Sequence, residues 1–148
     1  MRADLDIISQ WIRPGSRVLD LGCGDGALLA YLREHRQVSG YGLEIDETNI
    51  ISAIRNGVNV IHADLEAGLP FLPDRSVDEI HCRSFLEHIE NFEHLFTEMV
   101  RVLKDDGRAC IFVPHFSNPY YYSDYSHKRP FGLYTFYYFA APERQFRR

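Results

Sequence analysis

Three observations predict a doubly wound α/β fold with a mainly parallel sheet of about five strands. Short continuous apolar runs alternate with segments of helical periodicity. The runs lack in–out alternation, as expected of strands buried on both faces. A loop with glycines at 22, 24 and 26 joins the first run to the helix-like segment after it. Right-handed crossovers between such units wind the chain into an open sheet.

Leu5, Ile8, Trp11 and Ile12 recur at helical spacing, and Pro14-Gly15 stops them. Residues 17–21 read as the first buried strand. Leu28, Leu29, Tyr31 and Leu32 mark the helix after the glycine loop. Val38 to Ile45 reads as a second strand. Ile50, Ile51 and Ile54 give a helix, and Gly57 suits its C-terminal cap. Val58 to Ile61 is a third strand and Leu65 to Asp74 a loop. Val77 to Cys82 is a fourth strand. Asn91 is placed to cap a helix with an apolar face of Phe92, Leu95, Phe96, Met99, Val102 and Leu103. Asp105-Asp106-Gly107 is expected to turn the chain into a fifth strand from Ala109 to Val113.

A chain of 148 residues suits one core. A net charge of -5 argues against a large phosphate-binding surface, so nucleic acid is not an expected partner. No apolar run approaches a membrane span, and Met1-Arg2-Ala3-Asp4 is not the start of a signal peptide, so cytoplasmic residence is expected. Cys23, Cys82 and Cys110 form no C-x-x-C pair, and the histidines are scattered along the chain. Neither a disulfide framework nor a metal is predicted. Residues 112–148 hold 13 of the 20 aromatics, which separates an aromatic segment at 116–148 from a ligand-binding body at 1–115. That segment is expected to act as a cover over the ligand site or as an interface, without forming a separate domain.

The loop Asp20-Leu21-Gly22-Cys23-Gly24-Asp25-Gly26-Ala27 is expected to present open backbone to a ligand. Free N–H groups are expected at the start of the helix after it. It fits the dinucleotide pattern G-x-G-x-x-G/A, with Glu44 20 residues after Gly24. A ligand-free glycine turn is the other alternative. Asp20 argues against the dinucleotide, because such sites keep an apolar residue there. Asp20, Glu44 and Asp64 fall at the ends of strands one, two and three, so parallel topology brings them to one rim, where such sheets bind ligands.

With these positions placed, residues 15–115 resemble the class I S-adenosylmethionine (SAM) methyltransferases, whose sheet is Rossmann-like. Val18 to Gly26 matches their motif I, and Leu72-Pro73-Asp74-Arg75-Ser76-Val77-Asp78 their lead into strand four. Phe85-Leu86-Glu87-His88-Ile89 resembles the L-E-H motif, and Leu103-Lys104-Asp105-Asp106-Gly107 the turn before strand five. Gly40 to Asp46, with Gly57 to Ile61, is also similar to the MetW-like proteins of methionine metabolism. Ser126-His127-Lys128-Arg129-Pro130-Phe131 resembles a segment of small-molecule methyltransferases.

The resemblance implies SAM as cofactor, held by Asp20, Gly22, Cys23, Gly24, Gly26, Glu44, Ile45, Ala63, Asp64 and Leu65. Asp20 would serve the methionine portion, Glu44 the ribose hydroxyls, and Ile45 with Ala63-Asp64-Leu65 the adenine. Arg83, directly after strand four, is expected to meet the SAM carboxylate. The implied activity is methyl transfer to a small-molecule acceptor, with His88 and His127 as catalytic candidates. Tyr120, Tyr121, Tyr122 and Tyr125 are candidates for an aromatic acceptor pocket, with a folded cover as the plainer reading. The family adds two antiparallel strands after strand five, and no such pair is legible in the 33 residues after His115. Strand five is therefore expected to be an edge, covered by the aromatic segment or by another chain in a homo- or hetero-oligomer. A non-catalytic subunit that completes or stabilises a partner is the alternative to an enzyme.

Overall fold

The computed structural model describes residues 3–141. Phe146 and the two C-terminal arginines, counted above with the aromatic segment, lie outside the described residues, as do Met1 and Arg2. The elements follow the predicted alternation: α1 (Ala3–Trp11), β1 (Arg17–Leu21), α2 (Ala27–Arg36), β2 (Ser39–Glu44), α3 (Glu47–Arg55), β3 (Val60–His62), β4 (Val77–Arg83), α4 (Phe92–Val102) and β5 (Leu103–Phe112). Short 3₁₀ turns occupy Leu65–Ala67, Leu86–His88, Pro119–Ser123 and Thr135–Phe139.

The sheet is wholly parallel with order β3-β2-β1-β4-β5. The order reverses at β1, so the crevice beyond its carboxyl end is the topological switch point. Val18 belongs to one apolar cluster and Leu19 and Leu21 to another, as the two-residue strand period requires. Residues of α1, α2 and α3 cover the Val18 face, while α4 and Phe131 cover the other. Gly40 on β2 has φ +123°, and a Cβ there would lie 1.9 Å from the Val18 carbonyl oxygen of β1. Among the described residues, no helix is long and apolar enough to cross a membrane.

Four local expectations fail for identifiable reasons. Asp105-Asp106-Gly107 is not a turn before β5 but lies within it. The register slips between Val77↔Leu103 and Glu79↔Arg108, so the extra residues of β5 are accommodated as an irregularity opposite β4. Leu103 does not extend the α4 face, because it is already extended at ψ 137°. Asn91 occupies the N-cap position of α4, yet its side chain makes no capping bond. Glu66 is what serves that end, accepting from the N–H groups of Glu90 and Asn91 at 2.8 and 3.0 Å. Trp11 is half-exposed rather than core, stacked on Phe112 at 5.5 Å.

The aromatic segment packs on α4. Phe131 is 1% exposed and meets Phe92 edge-on at 5.6 Å, while Phe139 lies 4.5 Å from Phe96. One parallel bridge, His115–Phe131, continues the pairing beyond β5. Only Tyr121 of the four candidate tyrosines is buried. Tyr120, Tyr122 and Tyr125 are exposed, so these four do not line a common pocket.

Candidate functional site

The clefts at the carboxyl ends of β1, β2 and β4 are built from the predicted rim. A cleft of about 320 Å³ is lined by Gly22, Glu44, Ile45, Ala63, Asp64, Leu65 and Arg83, together with Leu43, Ser84, Phe85 and Ile89. A second, of about 160 Å³, shares Gly22 and Arg83 with it and is lined by Asp20, Cys23, Gly24 and His81 among others. Gly26 is the one predicted cofactor residue that lines neither.

The carboxylate of Glu44, 9% exposed, is fixed by three backbone donors. Oε2 accepts from Gly24 N–H at 2.9 Å, and Oε1 accepts from Ile45 and Asp46 N–H at 2.9 and 3.0 Å. Asp20 is 3% exposed, and its Oδ1 accepts from His81 Nδ1 at 2.7 Å. His81 Nε2 is buried without a hydrogen-bond partner. Asp64 caps the 3₁₀ turn at Leu65, accepting from Glu66 N–H at 3.0 Å. Arg83 pairs with Asp4 of α1 at 2.7 Å. Ser84 beside it has φ +50°, a left-handed conformation uncommon outside glycine.

Most of the loop's N–H groups, and the first of the helix after it, are taken up within the fold. Gly22 and Cys23 N–H donate to Leu43 O at 2.9 and 3.0 Å, and Gly26 N–H to Cys23 O at 3.0 Å. Gly24 N–H is taken by Glu44, and Ala27 N–H by Asp25 Oδ1 at 3.0 Å. A diphosphate needs donors, and these five are spent. The carboxylates of Asp20, Glu44 and Asp64, with the bare His81 Nε2, instead present acceptors and negative charge. This set suits a ligand that carries hydroxyls, an amine or a positive charge.

Of the three loop glycines, Gly24 faces open space, with nothing within 4 Å of an added Cβ. Gly26 lines neither cleft and instead packs against α3 and the residues after it. Its φ is +74°, and a Cβ there would meet Val58 Cγ2 at 2.9 Å and Ala53 Cβ at 3.2 Å. Gly26→Ala is expected to cost about 1–3 kcal/mol by overpacking. In a Val58→Ala background the steric part of that cost should shrink, since the closest contact is removed while the Cβ atoms of residues 58 and 53 stay at 3.1 and 3.2 Å, and a double-mutant cycle of urea unfolding reads the difference directly. An equal cost in both backgrounds would refute the packing account.

The Cys23 thiol is pushed up to about 12 by burial first and then by Asp20 and Glu44. The Cys82 thiol is raised as well, again mainly by burial. Both are expected to resist iodoacetamide in the folded chain at about pH 8 and to react after denaturation. Quantitative alkylation of folded chain, read by mass spectrometry, would contradict this.

His88 and His127, 39 positions apart in sequence, meet in space. Their rings are 4.9 Å apart, edge to face. Phe85 and Ile89, either side of His88 in the chain, line the larger cleft. Sequence reading missed His81, the partner of Asp20, and Glu66. His81 sits on the predicted fourth strand and Glu66 in the predicted loop, and no local pattern links either to a residue tens of positions away.

The geometry agrees with what comparison finds. A family model described as methionine biosynthesis protein MetW matches residues 2–121. The chain is similar to the bifunctional methionine biosynthesis protein MetXA/MetW of Rhodopirellula baltica, 34% identical over 160 residues, covering 99% of this chain and 25% of that protein. It is also similar to phosphoethanolamine N-methyltransferase 1 of Arabidopsis thaliana, 29% identical over 104 residues, covering 68% of this chain and 21% of that one. Among solved structures, a SAM-dependent methyltransferase from Archaeoglobus fulgidus superposes with a TM-score of 0.79 at 27% identity, covering 92% of this chain and 63% of that one. The chain thus spans about a quarter or less of the length of these two curated relatives. With the doubly wound sheet and the acid-lined switch point in place, the match over most of its length shows that the chain belongs to the MetW family.

Proposed function

We propose that this chain binds SAM at the β1–β2 rim and transfers its methyl group to a small-molecule acceptor. The observation that supports the reading is Glu44, whose carboxylate is held by three backbone N–H groups and lines a cleft, while five N–H groups of the loop and the helix start are already bonded. The residues present fit the cofactor. Glu44 Oε2, which takes one backbone donor where Oε1 takes two, would accept from a ribose hydroxyl, and Asp20 with His81 would accept from the ammonium group. Ile45, Ala63, Asp64 and Leu65 flank the adenine, and Arg83 with Ser84 faces the carboxylate. SAM supplies an activated methyl group on a positively charged sulfur.

Alignment and exclusion of water then fall to the protein, and positioning alone is worth about 7–11 kcal/mol in favourable cases. Phe85, Leu65 and Ile89 give the larger cleft apolar walls that exclude water. The surrounding carboxylates favour a cationic ligand over a neutral one. His88 and His127 are the groups proposed to face the acceptor.

A calorimetric titration with SAM and with NADH tests the cofactor assignment. SAM is expected to bind and NADH is not, and the reverse result would return the loop to the dinucleotide reading. Turnover is read as S-adenosylhomocysteine formed from SAM with candidate acceptors.

A second reading, a subunit that supports a partner without turnover, is favoured by two facts. The edge strand β5 pairs only with β4 among the strands of the sheet. The R. baltica relative carries the MetXA and MetW names in one polypeptide. No S-adenosylhomocysteine with or without a MetXA-type protein, despite SAM binding, would favour this reading, whereas turnover only after that protein is added would point to a composite enzyme.

A further inference from the structure

The scattered histidines predict no metal, but folding gathers two of them around a buried carboxylate. One ligand atom each from Glu87, His88 and His127 lies within 4.8 Å of the others. We propose that these three residues bind one divalent transition-metal ion of the zinc class.

The tautomers follow from the hydrogen bonds. His127 Nδ1 is 2.7 Å from the Tyr121 carbonyl oxygen, which can only accept, so Nδ1 carries the proton. In the neutral ring Nε2 then holds a lone pair, and Asp124 Oδ2, 3.5 Å away, is a further acceptor beside it. His88 Nδ1 is 3.0 Å from Ser126 Oγ, and that hydroxyl donates to Asp124 Oδ1 at 2.5 Å. The Ser126 oxygen therefore accepts from His88 Nδ1–H, and His88 Nε2 is also left with a lone pair. Glu87 is 2% exposed, and its Oε2 is buried with no hydrogen-bond partner. With both rings neutral, two imidazole lone pairs thus meet a buried carboxylate, one oxygen of which has no partner, and the atoms they present to one another are all acceptors. A cation resolves that arrangement.

The donor set selects the kind of cation. Imidazole nitrogen suits zinc and its neighbours, whereas magnesium and calcium take oxygen ligands. Metal-bound histidines characteristically donate their second ring N–H to a carbonyl or a carboxylate-linked group, as both do here. Tetrahedral ligation at 2.0–2.1 Å places donors about 3.3 Å apart. Glu87 Oε1 and His88 Nε2 are 3.9 Å apart, a gap that small side-chain rotations close. Three protein ligands leave a position open. An acceptor's oxygen or nitrogen would bind there, so the ion would take the place of a direct histidine contact. The site stands on side-chain geometry alone and does not depend on SAM binding.

The test is calorimetric titration of chelator-stripped full-length chain with Zn²⁺, without SAM or acceptor, followed by the absorption spectrum with Co²⁺. One ion per chain is expected, without thiolate charge-transfer absorption. His127→Asn and Glu87→Gln should each weaken binding by more than the roughly 10–100-fold that loss of an outer-shell partner costs. Ser126→Ala should fall within that range, and His115→Asn should change nothing. Circular dichroism confirms the fold of each variant. No stoichiometric binding, full binding by folded His127→Asn, or a thiolate band from Cys23, Cys82 or Cys110 would each overturn the proposal. Binding of SAM with no ion bound would sink the ion site and leave the methyl-transfer reading standing.

Discussion

Glu44→Gln is expected to weaken SAM binding by roughly 10- to 100-fold, the equivalent of about 1.5–3 kcal/mol in lost hydrogen bonds to a charged acceptor. The same change should lower the melting temperature. Glu44 takes Gly24 N–H on one oxygen and Ile45 and Asp46 N–H on the other. An amide replaces one of those oxygens with a donor, so at least one backbone N–H then faces another donor. The site is 9% exposed, and leaving a buried donor unpaired costs about 1–3 kcal/mol. Calorimetry with SAM and thermal unfolding of the free chain separate the two effects. Unchanged SAM affinity in a stable variant would show that the ribose is held elsewhere.

Phe131→Ala is expected to destabilise the chain by about 3–5 kcal/mol, the range for a fully buried aromatic. Phe131 is 1% exposed, stacks on Phe136 and meets Phe92 edge-on. Its backbone holds the segment as well, since Phe116 N–H donates to Phe131 O at 2.8 Å. Arg129, two residues earlier, lies over the Phe92 ring at 5.1 Å and donates to Glu90 O at 2.8 Å. Losing the phenyl ring should loosen the stretch that carries His127. Urea unfolding gives the free energy, and limited proteolysis between residues 116 and 130 reports the loosening. A loss below about 1 kcal/mol would mean that the segment is an ornament on a core complete without it.

The strand–helix alternation was legible because each element's periodicity is local. The apolar runs predicted five strands, and Gly57, just past the Asn56 cap of α3 at φ +72°, ends that helix as expected. Asp20, Glu44 and Asp64 could be placed on one rim because parallel strands put their carboxyl ends together. The errors came where a distant partner overrides a local signal. Asp105-Asp106-Gly107 has turn chemistry, yet pairing with β4 keeps it in a strand. Gly26 belongs to a ligand-loop motif, yet Val58, 32 positions on, is what demands the missing side chain.

From the sequence alone came the fold class, the switch-point loop and the three acids, because each depends on spacing within one or two elements. Tertiary structure decided which groups those acids can still bind. His81 occupies one oxygen of Asp20, Asp4 pairs with Arg83, and backbone donors fix both oxygens of Glu44. It also decided that His88 and His127 meet over Glu87. Such pairings join residues as many as 79 positions apart, and no periodicity carries information over that distance. Only the pairing of the strands and the packing of the aromatic segment on α4 bring them within reach.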